Sequence, residues 1–588
     1  FLIIAADISG IQNFIYSEQS PVENSTKGLG KRLRGKSFYL SILTDTFAER
    51  FLELFGLTRA NILINGGGHF VILVPNNEVN KNILKNEIKN IQSWFYKQYK
   101  GELNLIVESI EADEELYTNF NLWYNTISSR LQKAKKQRSF EAIDEIFNYD
   151  LDKFDITEYK DQINYEDDLV YKSLSSTYEK NLFGLSKLFE NIGKIIPKSK
   201  YLIQINVSSD KKIKLGKDVF YIPFSKFNIY WAFVEKQKEI INLIDSLANE
   251  SISAFRILKI NDTDIYNFQI NSNFPVTLGY RFIGTEVPKN GTNILEFEQI
   301  AELNYEATNT NKDLLKYPLL GTLRMDVDNL GSIFSNGLEK RQNRNNLKTL
   351  TRVVSLSRMF NLFFCGYLNV IAKKWGIYIT YSGGDDLFVV GSWINSIGFA
   401  EELRTEFTRF VCNNNNITIS GGLFVSKGNY PIGKAARYAG EAEEKAKHSF
   451  DDKDCISAFG KEFKWNSFNK YLLYGKELEQ LVISKNPDEN VNRSFIHRIL
   501  QITNEIYEDP TKINIKYFEK IALIKYLFAK APRKIDNNKI QLLKTDPNKA
   551  NKKIKLLGKL ILEDSQEYLK NFIIPATYII LKHRNSKQ

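Results

Sequence analysis

The sequence is poor in the residues that build covalent or thiolate frameworks. Its 588 residues include three cysteines, Cys365, Cys412 and Cys455, and no CxxC pair. That argues against a disulfide scaffold or a cysteine-based zinc site and fits a reducing compartment. Histidine is also scarce: His69, His448, His497 and His583. None precedes an aspartate, and no Ser-His-Asp or Cys-His set is apparent. No continuous apolar run reaches the length of a membrane span. The opening Phe1-Leu2-Ile3-Ile4-Ala5-Ala6 stops at Asp7 with no basic flank, so it reads as a buried strand and not a signal peptide. Residue 1 is not Met, which fits a piece of a longer chain.

The length suggests about three to five domains. The chain is 43% hydrophobic and 25% charged, ordinary for globular protein, but its net charge is +11. Such a balance suits a nucleic-acid partner or a polyanionic substrate, and equally a lysine-rich solvated surface. The most informative stretch is Tyr381-Ser382-Gly383-Gly384-Asp385-Asp386-Leu387-Phe388, flanked by β-prone residues on both sides. Two glycines between such runs predict the tip of a β-hairpin. Adjacent strand residues point to opposite faces, so Asp385 and Asp386 share a site only if the turn bends the backbone.

The plan around this hairpin occurs twice. Asp7 ends a strand, Gly66-Gly67-Gly68-His69 forms a second glycine turn, and Lys133-Ala134-Lys135 closes a helix. In the second copy the landmarks are Asp326, the GGDD turn and Lys445-Ala446-Lys447. Gly66 follows Asp7 by 59 residues and Gly383 follows Asp326 by 57; Lys135 follows Gly66 by 69 and Lys447 follows Gly383 by 64. Three landmarks in one order at near-equal spacing predict a duplicated β-α-β-β-α-β unit of ferredoxin-like arrangement. A helix is expected from about 37 to 55, preceded by a basic, glycine-rich loop over 27–36. A further basic stretch, 340–348, precedes a long apolar-periodic helix at about 351–374.

The fold class expected is α+β multidomain: two ferredoxin-like palms, an α/β connector and a C-terminal helical domain. The boundaries expected are 1–148, 149–312, 313–462 and 463–588. The connector holds several aromatic, β-branched runs within 200–285 and no motif of its own. Residues 539–559 carry seven lysines against one acid, which suits contact with nucleic acid or an acidic subunit, or a solvated face.

The copies differ where chemistry would occur. The second offers Asp326, Asp328, Asp385 and Asp386, whereas the first keeps Asp7 but has Gly68 and His69 in the hairpin. A carboxylate on one strand beside a carboxylate pair on the next suits two divalent metals and in-line displacement at phosphorus. The expected catalytic set is Asp326, Asp385 and Asp386, with Val327 added as a metal-site position. The second copy is thus expected to be catalytic, and the first to bind a nucleotide without strong metal ligation. Asn329, Leu330 and Gly331 enter a helix whose free N–H groups suit a triphosphate, and Lys447 suits its terminal phosphates. Ser9, Gly10, Gly66, Gly67, Gly383 and Gly384 complete the expected nucleotide-binding positions. Asp7 reads equally as a helix cap or a nucleotide contact, and His69 as a structural histidine.

Ala6-Asp7-Ile8-Ser9-Gly10-Ile11-Gln12-Asn13-Phe14-Ile15-Tyr16, Leu33-Arg34-Gly35-Lys36-Ser37-Phe38-Tyr39, Gly66-Gly67-Gly68-His69-Phe70, Arg324-Met325-Asp326-Val327-Asp328-Asn329-Leu330-Gly331 and Ser382-Gly383-Gly384-Asp385-Asp386 together resemble the large, polymerase-like subunit of type III-A (Csm-type) CRISPR interference complexes. The resemblance implies that ATP binds between two palms and is converted to cyclic oligoadenylates, second messengers for separate nucleases, when the complex holds target RNA. It implies Mg²⁺ or Mn²⁺ at Asp326, Asp385 and Asp386. It also implies partners: guide-RNA-containing Csm-type backbone and small subunits, with target RNA as activator, in the cytoplasm and away from membranes. Two departures stand out. The family commonly carries an N-terminal HD nuclease domain, which this sequence is expected to lack. Many members hold a cysteine-ligated zinc in the connector, but 149–312 contains no Cys or His, so no zinc is expected. Two alternatives remain: a cyclic-dinucleotide cyclase of the GGDEF type, or a catalytically silent scaffold of a ribonucleoprotein.

Overall fold

The structure is a computed structural model. It describes residues 1–16, 28–137, 147, 172–174, 177–208, 212–216, 219–265, 270–304, 317–337, 347–482, 493–507, 513–530, 559 and 565–584. Most of the basic stretch 340–348 and of the lysine-rich stretch 539–559, as well as 149–171, lies outside the described residues.

The first sheet contains β1 (Leu2–Ser9), β2 (Ile62–Gly66), β3 (His69–Val74) and β4 (Asn104–Glu111), in the antiparallel order β2-β3-β1-β4. That is the ferredoxin-like order anticipated. Strand β1 is apolar without alternation because both of its faces are covered. Leu2, Ile4, Ala6 and Ile8 enter one core, and Ile3 and Ala5 another.

The connector sheet follows, with β5 (Tyr201–Val207), β6 (Phe220–Phe224), β7 (Ile229–Val234), β8 (Ile252–Ile260) and β9 (Val276–Arg281) in the order β6-β7-β5-β8-β9. A two-residue pair, β10 (Lys289–Asn290) and β11 (Asn293–Ile294), leads on. The third sheet contains β12 (Leu320–Val327), β13 (Tyr378–Gly383), β14 (Asp386–Ser392) and β15 (Ile419–Ser426) in the order β13-β14-β12-β15, with the hairpin of β16 (Cys455–Ala458) and β17 (Lys461–Lys464) added beyond β15.

Register makes the duplication structural. Asp7 stands opposite His69 on one side and Ile106 on the other; Asp326 stands opposite Asp386 and Ser420. Ile8 N donates to Gly68 O (2.9 Å), and Val327 N donates to Asp385 O (3.2 Å). The copies also embrace reciprocally. Helix Ile11–Tyr16 leans on helix Ile432–Ser449, where a Cβ on Gly433 would lie 2.9 Å from Tyr16 O. Helix Leu330–Asn336 leans on helix Phe120–Ala134, where Asn121 Nδ2 donates to Ser335 O. Tyr16 and Ser335 are separated by the same 319 residues as Asp7 and Asp326, so the palms are related by an approximate twofold.

One element departs from expectation. The helix read from residue 37 begins at Leu29 and continues to Leu54, so most of the basic stretch is helical. Gly28, at φ 75°, starts it in the left-handed conformation that glycine tolerates. Its cations are inward-facing: Arg34 is buried, donates to Gly193 O and lies 4.9 Å from the Tyr378 ring centroid. Lys31 pairs with Glu296 at 2.6 Å. Buried carbonyls, rings and acids thus replace the solvent that basic residues ordinarily seek.

The helices Trp465–Val482, Arg493–Tyr507, Ile513–Lys530 and Ile573–Lys582 contribute Phe468, Ile499, Ile524 and Ile574 to the core of the second palm. Helix Leu350–Trp375 is the one described helix long and apolar enough to cross a membrane by length and composition. Its Val353, Phe360, Phe364 and Ile371 lie in that same core.

Candidate active site

The hairpin solves the problem of two neighbouring carboxylates by keeping only one of them in the strand. Gly384 turns at φ 68°, Asp385 N donates back to Gly383 O (2.9 Å), and β14 starts at Asp386. Asp385 therefore sits in the turn, close enough for Asp326 to reinforce the rise that burial gives its carboxyl, while Asp386 stands opposite Asp326 in register. Tyr381 lines one cavity with Asp386 and offsets part of the upward shift that burial gives its carboxyl.

These groups open into a cavity of about 440 Å³ lined by Arg324, Asp326, Tyr381, Asp385, Asp386, Glu443 and Lys447. Its opposite wall comes from the first palm: Ile11, Gln12, Ile15, Tyr16 and Gly67. Lys447 Nζ donates to Asp326, and to Glu443 Oε1 at 2.7 Å. Burial alone would lower the Lys447 ammonium, but Asp326 and Glu443 hold it above the ordinary lysine range. Burial, reinforced by Asp326, pushes Asp385 up to about 7; burial, then Asp385 and Asp326, push Asp386 up to about 8. Five carboxylates, Asp326, Asp385, Asp386, Glu443 and Glu444, against the two cations Arg324 and Lys447 make a site that gains from added positive charge.

A second, larger cavity of about 1110 Å³ adjoins the hairpin tips. It runs between helix Leu29–Leu54, the connector strands β8 and β9, and helix Leu350–Trp375, and it includes Gly66, Gly67, Ser382 and Gly383. Across the junction the tips touch: a Cβ on Gly384 would lie 3.9 Å from Gly67 Cα.

In the first palm Asp7 pairs with Lys135 at 2.8 Å, repeating Asp326–Lys447, and His69 Nδ1 lies 4.0 Å from Asp7. Burial lowers His69 despite Asp7, so it is neutral near pH 7. Ser9 is buried with its hydroxyl 3.4 Å from Asn104 O, and Gly10 (φ 91°) packs so closely on Glu102 O that no Cβ fits.

Not every predicted position reaches the carboxylates. Asn329, Leu330 and Gly331 do not line their cavity. Asn329 takes a left-handed φ of 56° and accepts from Lys453 Nζ (2.6 Å), and the helix it starts faces the first palm. The Val327 side chain is in the core, so only its backbone faces the site. Asp328 is buried away from the cavity, accepting from Thr418 Oγ1 (2.8 Å), Ser420 Oγ (2.9 Å) and Asp454 N. Arg324, Glu443, Gln12 and Tyr16 were missed. The duplication held the signal for the last two, since an exchange of helices between copies delivers the first helix to the second site.

Among the described residues, no three His, Cys, Asp or Glu side chains already form a metal cage. The donor set nevertheless fits a hard divalent cation that keeps waters and takes phosphate oxygens. Asp326, Asp385 and Asp386 line one cavity, and the Lys447 ammonium already attracts Asp326.

Residues 1–151 match the family model described as Csm1 subunit domain B, and residues 319–457 match that of the Cas10/Cmr2 second palm domain. Two curated relatives are each described as a CRISPR system single-strand-specific deoxyribonuclease Cas10/Csm1 of subtype III-A. The protein from Enterococcus italicus is 26% identical over 545 residues, covering 90% of this chain and 62% of its own length. That from Mycobacterium tuberculosis is 26% identical over 548 residues, covering 88% and 61%. The chain thus spans a little over three fifths of the relatives it matches. Among solved structures, a Csm1-Csm4 cassette in complex with cA4 superposes with a TM-score of 0.63 at 19% identity, covering 99% of this chain and 70% of that one. A cassette in complex with one ATP gives 0.61 at 19%, covering 98% and 70%. These likenesses establish a shared fold, and the matched palm is of the nucleotidyltransferase-like polymerase and cyclase type. By its two matched domains, its relatives and its fold, the chain resembles the large, polymerase-like subunit of type III-A CRISPR effector complexes.

Proposed function

We propose that the second palm is a metal-dependent nucleotidyltransferase that joins ATP into cyclic oligoadenylates when a type III-A complex holds target RNA. The observation that carries this reading is the meeting of Asp326, Asp385 and Asp386 at one cavity that Lys447 and the first palm's helix complete. Asp326, Asp385 and the Val327 backbone would hold Mg²⁺ or Mn²⁺, with Asp386 a further ligand or a support to Asp385. When bound, such metals stabilise the charge that develops on the reacting phosphate and the leaving oxygen. Lys447 supplies a fixed positive charge to the triphosphate, and Glu443 keeps it aimed. The first palm, through Asp7, Ser9, Gly10, Gly66 and Gly67, holds the second nucleotide; Gly383 and Gly384 let its backbone approach. The 3′-hydroxyl oxygen of one nucleotide bonds to the α-phosphorus of the other. Pyrophosphate leaves, the hydroxyl proton passes to solvent, and ring closure repeats the step.

The relatives' names and the titles of the solved cassettes support this reading: those cassettes pair Csm1 with Csm4 and were solved with cA3, cA4 or one ATP. We assign Csm-type backbone and small subunits as partners, target RNA as activator, a cytoplasmic location and no zinc. The division into palms at 1–148 and 313–462, a connector at 149–312 and a helical domain at 463–588 belongs to the same proposal. The test is product analysis in the reconstituted complex. Cyclic adenylates from ATP with target RNA, lost in Asp385→Ala/Asp386→Ala, are expected; a guanylate product would favour a cyclic-dinucleotide cyclase instead.

A further inference from the structure

A strap of chain, residues 282–287, leaves β9 of the connector and runs beside β13, the first strand of the GGDD hairpin. Ile379 N donates to Glu286 O at 3.0 Å, so the strap bonds to the edge of the catalytic sheet. Its Ile283 carbonyl accepts from two side-chain amides: Asn261 Nδ2 of the connector (2.9 Å) and Asn369 Nδ2 of the second palm (3.0 Å). Asn369 Oδ1 accepts from Thr285 N (2.9 Å) and Glu286 N (3.1 Å), while its Nδ2 also donates to Cys365 O (2.9 Å). Two N–H groups on one side and carbonyls on the other leave the amide a single orientation.

The strap reaches the catalytic turn through a break in the helix. Residues Leu362–Tyr367 form a π-helical turn, a feature that recurs at functional sites. There Phe364 O accepts from Ser382 Oγ, and Cys365 Sγ lies 3.8 Å from Ser382 O. Ser382 is the residue before Gly383-Gly384-Asp385. The strap also passes close beside it, leaving no room for a side chain: a Cβ on Gly284 would lie 2.9 Å from Ser382 Cβ. The connector reaches the other hairpin from the same point: Arg281 pairs with Asp45, which accepts from Asn65 Nδ2 (2.7 Å) next to Gly66.

We propose that the strap, latched by Asn369, sets the position of the GGDD hairpin against the first palm, making Asn369 and Gly284 positioning residues for the reaction. The inference rests on the reading of Asp326, Asp385 and Asp386 as the reacting centre. An isosteric Asn369→Asp would set a carboxylate oxygen against the Ile283 and Cys365 carbonyls. Gly284→Ala would push Ser382 and the turn.

The test uses the full chain and its reconstituted complex. In the full chain without nucleotide, Asn369→Asp is expected to raise amide hydrogen exchange at Ile379 and alkylation of Cys365 at least tenfold, with little change in thermal midpoint. In the complex, both variants are expected to lower kcat for ATP about tenfold with KM within twofold, the pattern of misplaced reacting groups and not of lost binding. In a Ser382→Gly background, Gly284→Ala is expected to cost less than twofold more, because the opposing Cβ is gone. Unchanged Ile379 exchange in Asn369→Asp would overturn the proposal. So would an unchanged kcat per folded molecule, or additive Gly284 and Ser382 effects. If the wild-type complex itself makes no product, the assigned reaction fails, while exchange and alkylation still decide whether the strap holds the hairpin.

Discussion

At the residue scale the site is governed by charge in a sheltered place. Asp385 and Asp386 are pushed up to about 7 and about 8, first by burial and then by their acidic neighbours. Between about pH 4 and 8 the folded chain therefore holds protons that the unfolded chain has released. Without metal, these groups make stability fall as pH rises through that window, and Asp386→Asn is expected to flatten the decline, read as thermal midpoint at pH 5 and pH 8. A divalent cation competes with the same protons, so its affinity by calorimetry is expected to rise from pH 6 to 8.5 with proton release. The cysteines give an independent check. Burial pushes Cys365 and Cys455 up to about 11, whereas Cys412 is exposed. A neutral thiol reagent at pH 8 is expected to modify Cys412 rapidly, the half-buried, largely protonated Cys365 slowly, and Cys455 only on unfolding; rapid loss of all three would mean that the strap and sheet junctions are open.

At the scale of elements, glycine placement decides more than hydrophobic pattern. Helix Leu29–Leu54 crosses helix Thr177–Ile195 at mutual glycines: a Cβ on Gly35 would fall 1.8 Å from Phe189 O, and one on Gly193 would fall 1.8 Å from Lys31 O. Backbone cannot yield to a methyl group there, so Gly35→Ala is expected to cost about 3 kcal/mol. That corresponds to a fall of roughly 6–12 °C in the transition of a cooperative unit of about 150–250 residues, by calorimetry. This crossing also explains a misreading. Residues 27–36 look like a loop because Gly28, Gly30 and Gly35 alternate with cations, and those features also favour turns and solvent. Nothing local reveals that Arg34 will meet Gly193 O or that Lys31 will meet Glu296. The hairpins were legible because their signal is local: two glycines between β-prone runs. The β16–β17 hairpin, Cys455–Ala458 and Lys461–Lys464, was missed; its four-residue strands are too short for periodicity to show.

At the scale of the molecule, duplication explains both what could be read and what could not. The spacing of Asp7, Gly66 and Lys135 against Asp326, Gly383 and Lys447 predicted two copies of one fold, and the sheets have the same order and register. It did not reveal the reciprocal exchange of helices, because that depends on how the copies face each other. The exchange puts Gln12 and Tyr16 in the carboxylate cavity and turns Asn329–Gly331 away from it. The first palm thus lines the second palm's cavity, and it carries Gly68 and His69 where the second carries Asp385 and Asp386. Mutation at Gln12 or Tyr16 is accordingly expected to reduce turnover although neither lies in the GGDD palm. Tyr16→Ala should lower kcat/KM for ATP about tenfold in a steady-state assay. The most direct measurement is to incubate the reconstituted complex with labelled ATP or GTP and Mg²⁺, with and without complementary target RNA, and to identify products by mass. Cyclic adenylates formed only with ATP and target RNA, and absent in Asp385→Ala/Asp386→Ala, are the predicted result. No product from an intact complex under any of these conditions, or product that survives loss of both carboxylates, would contradict it.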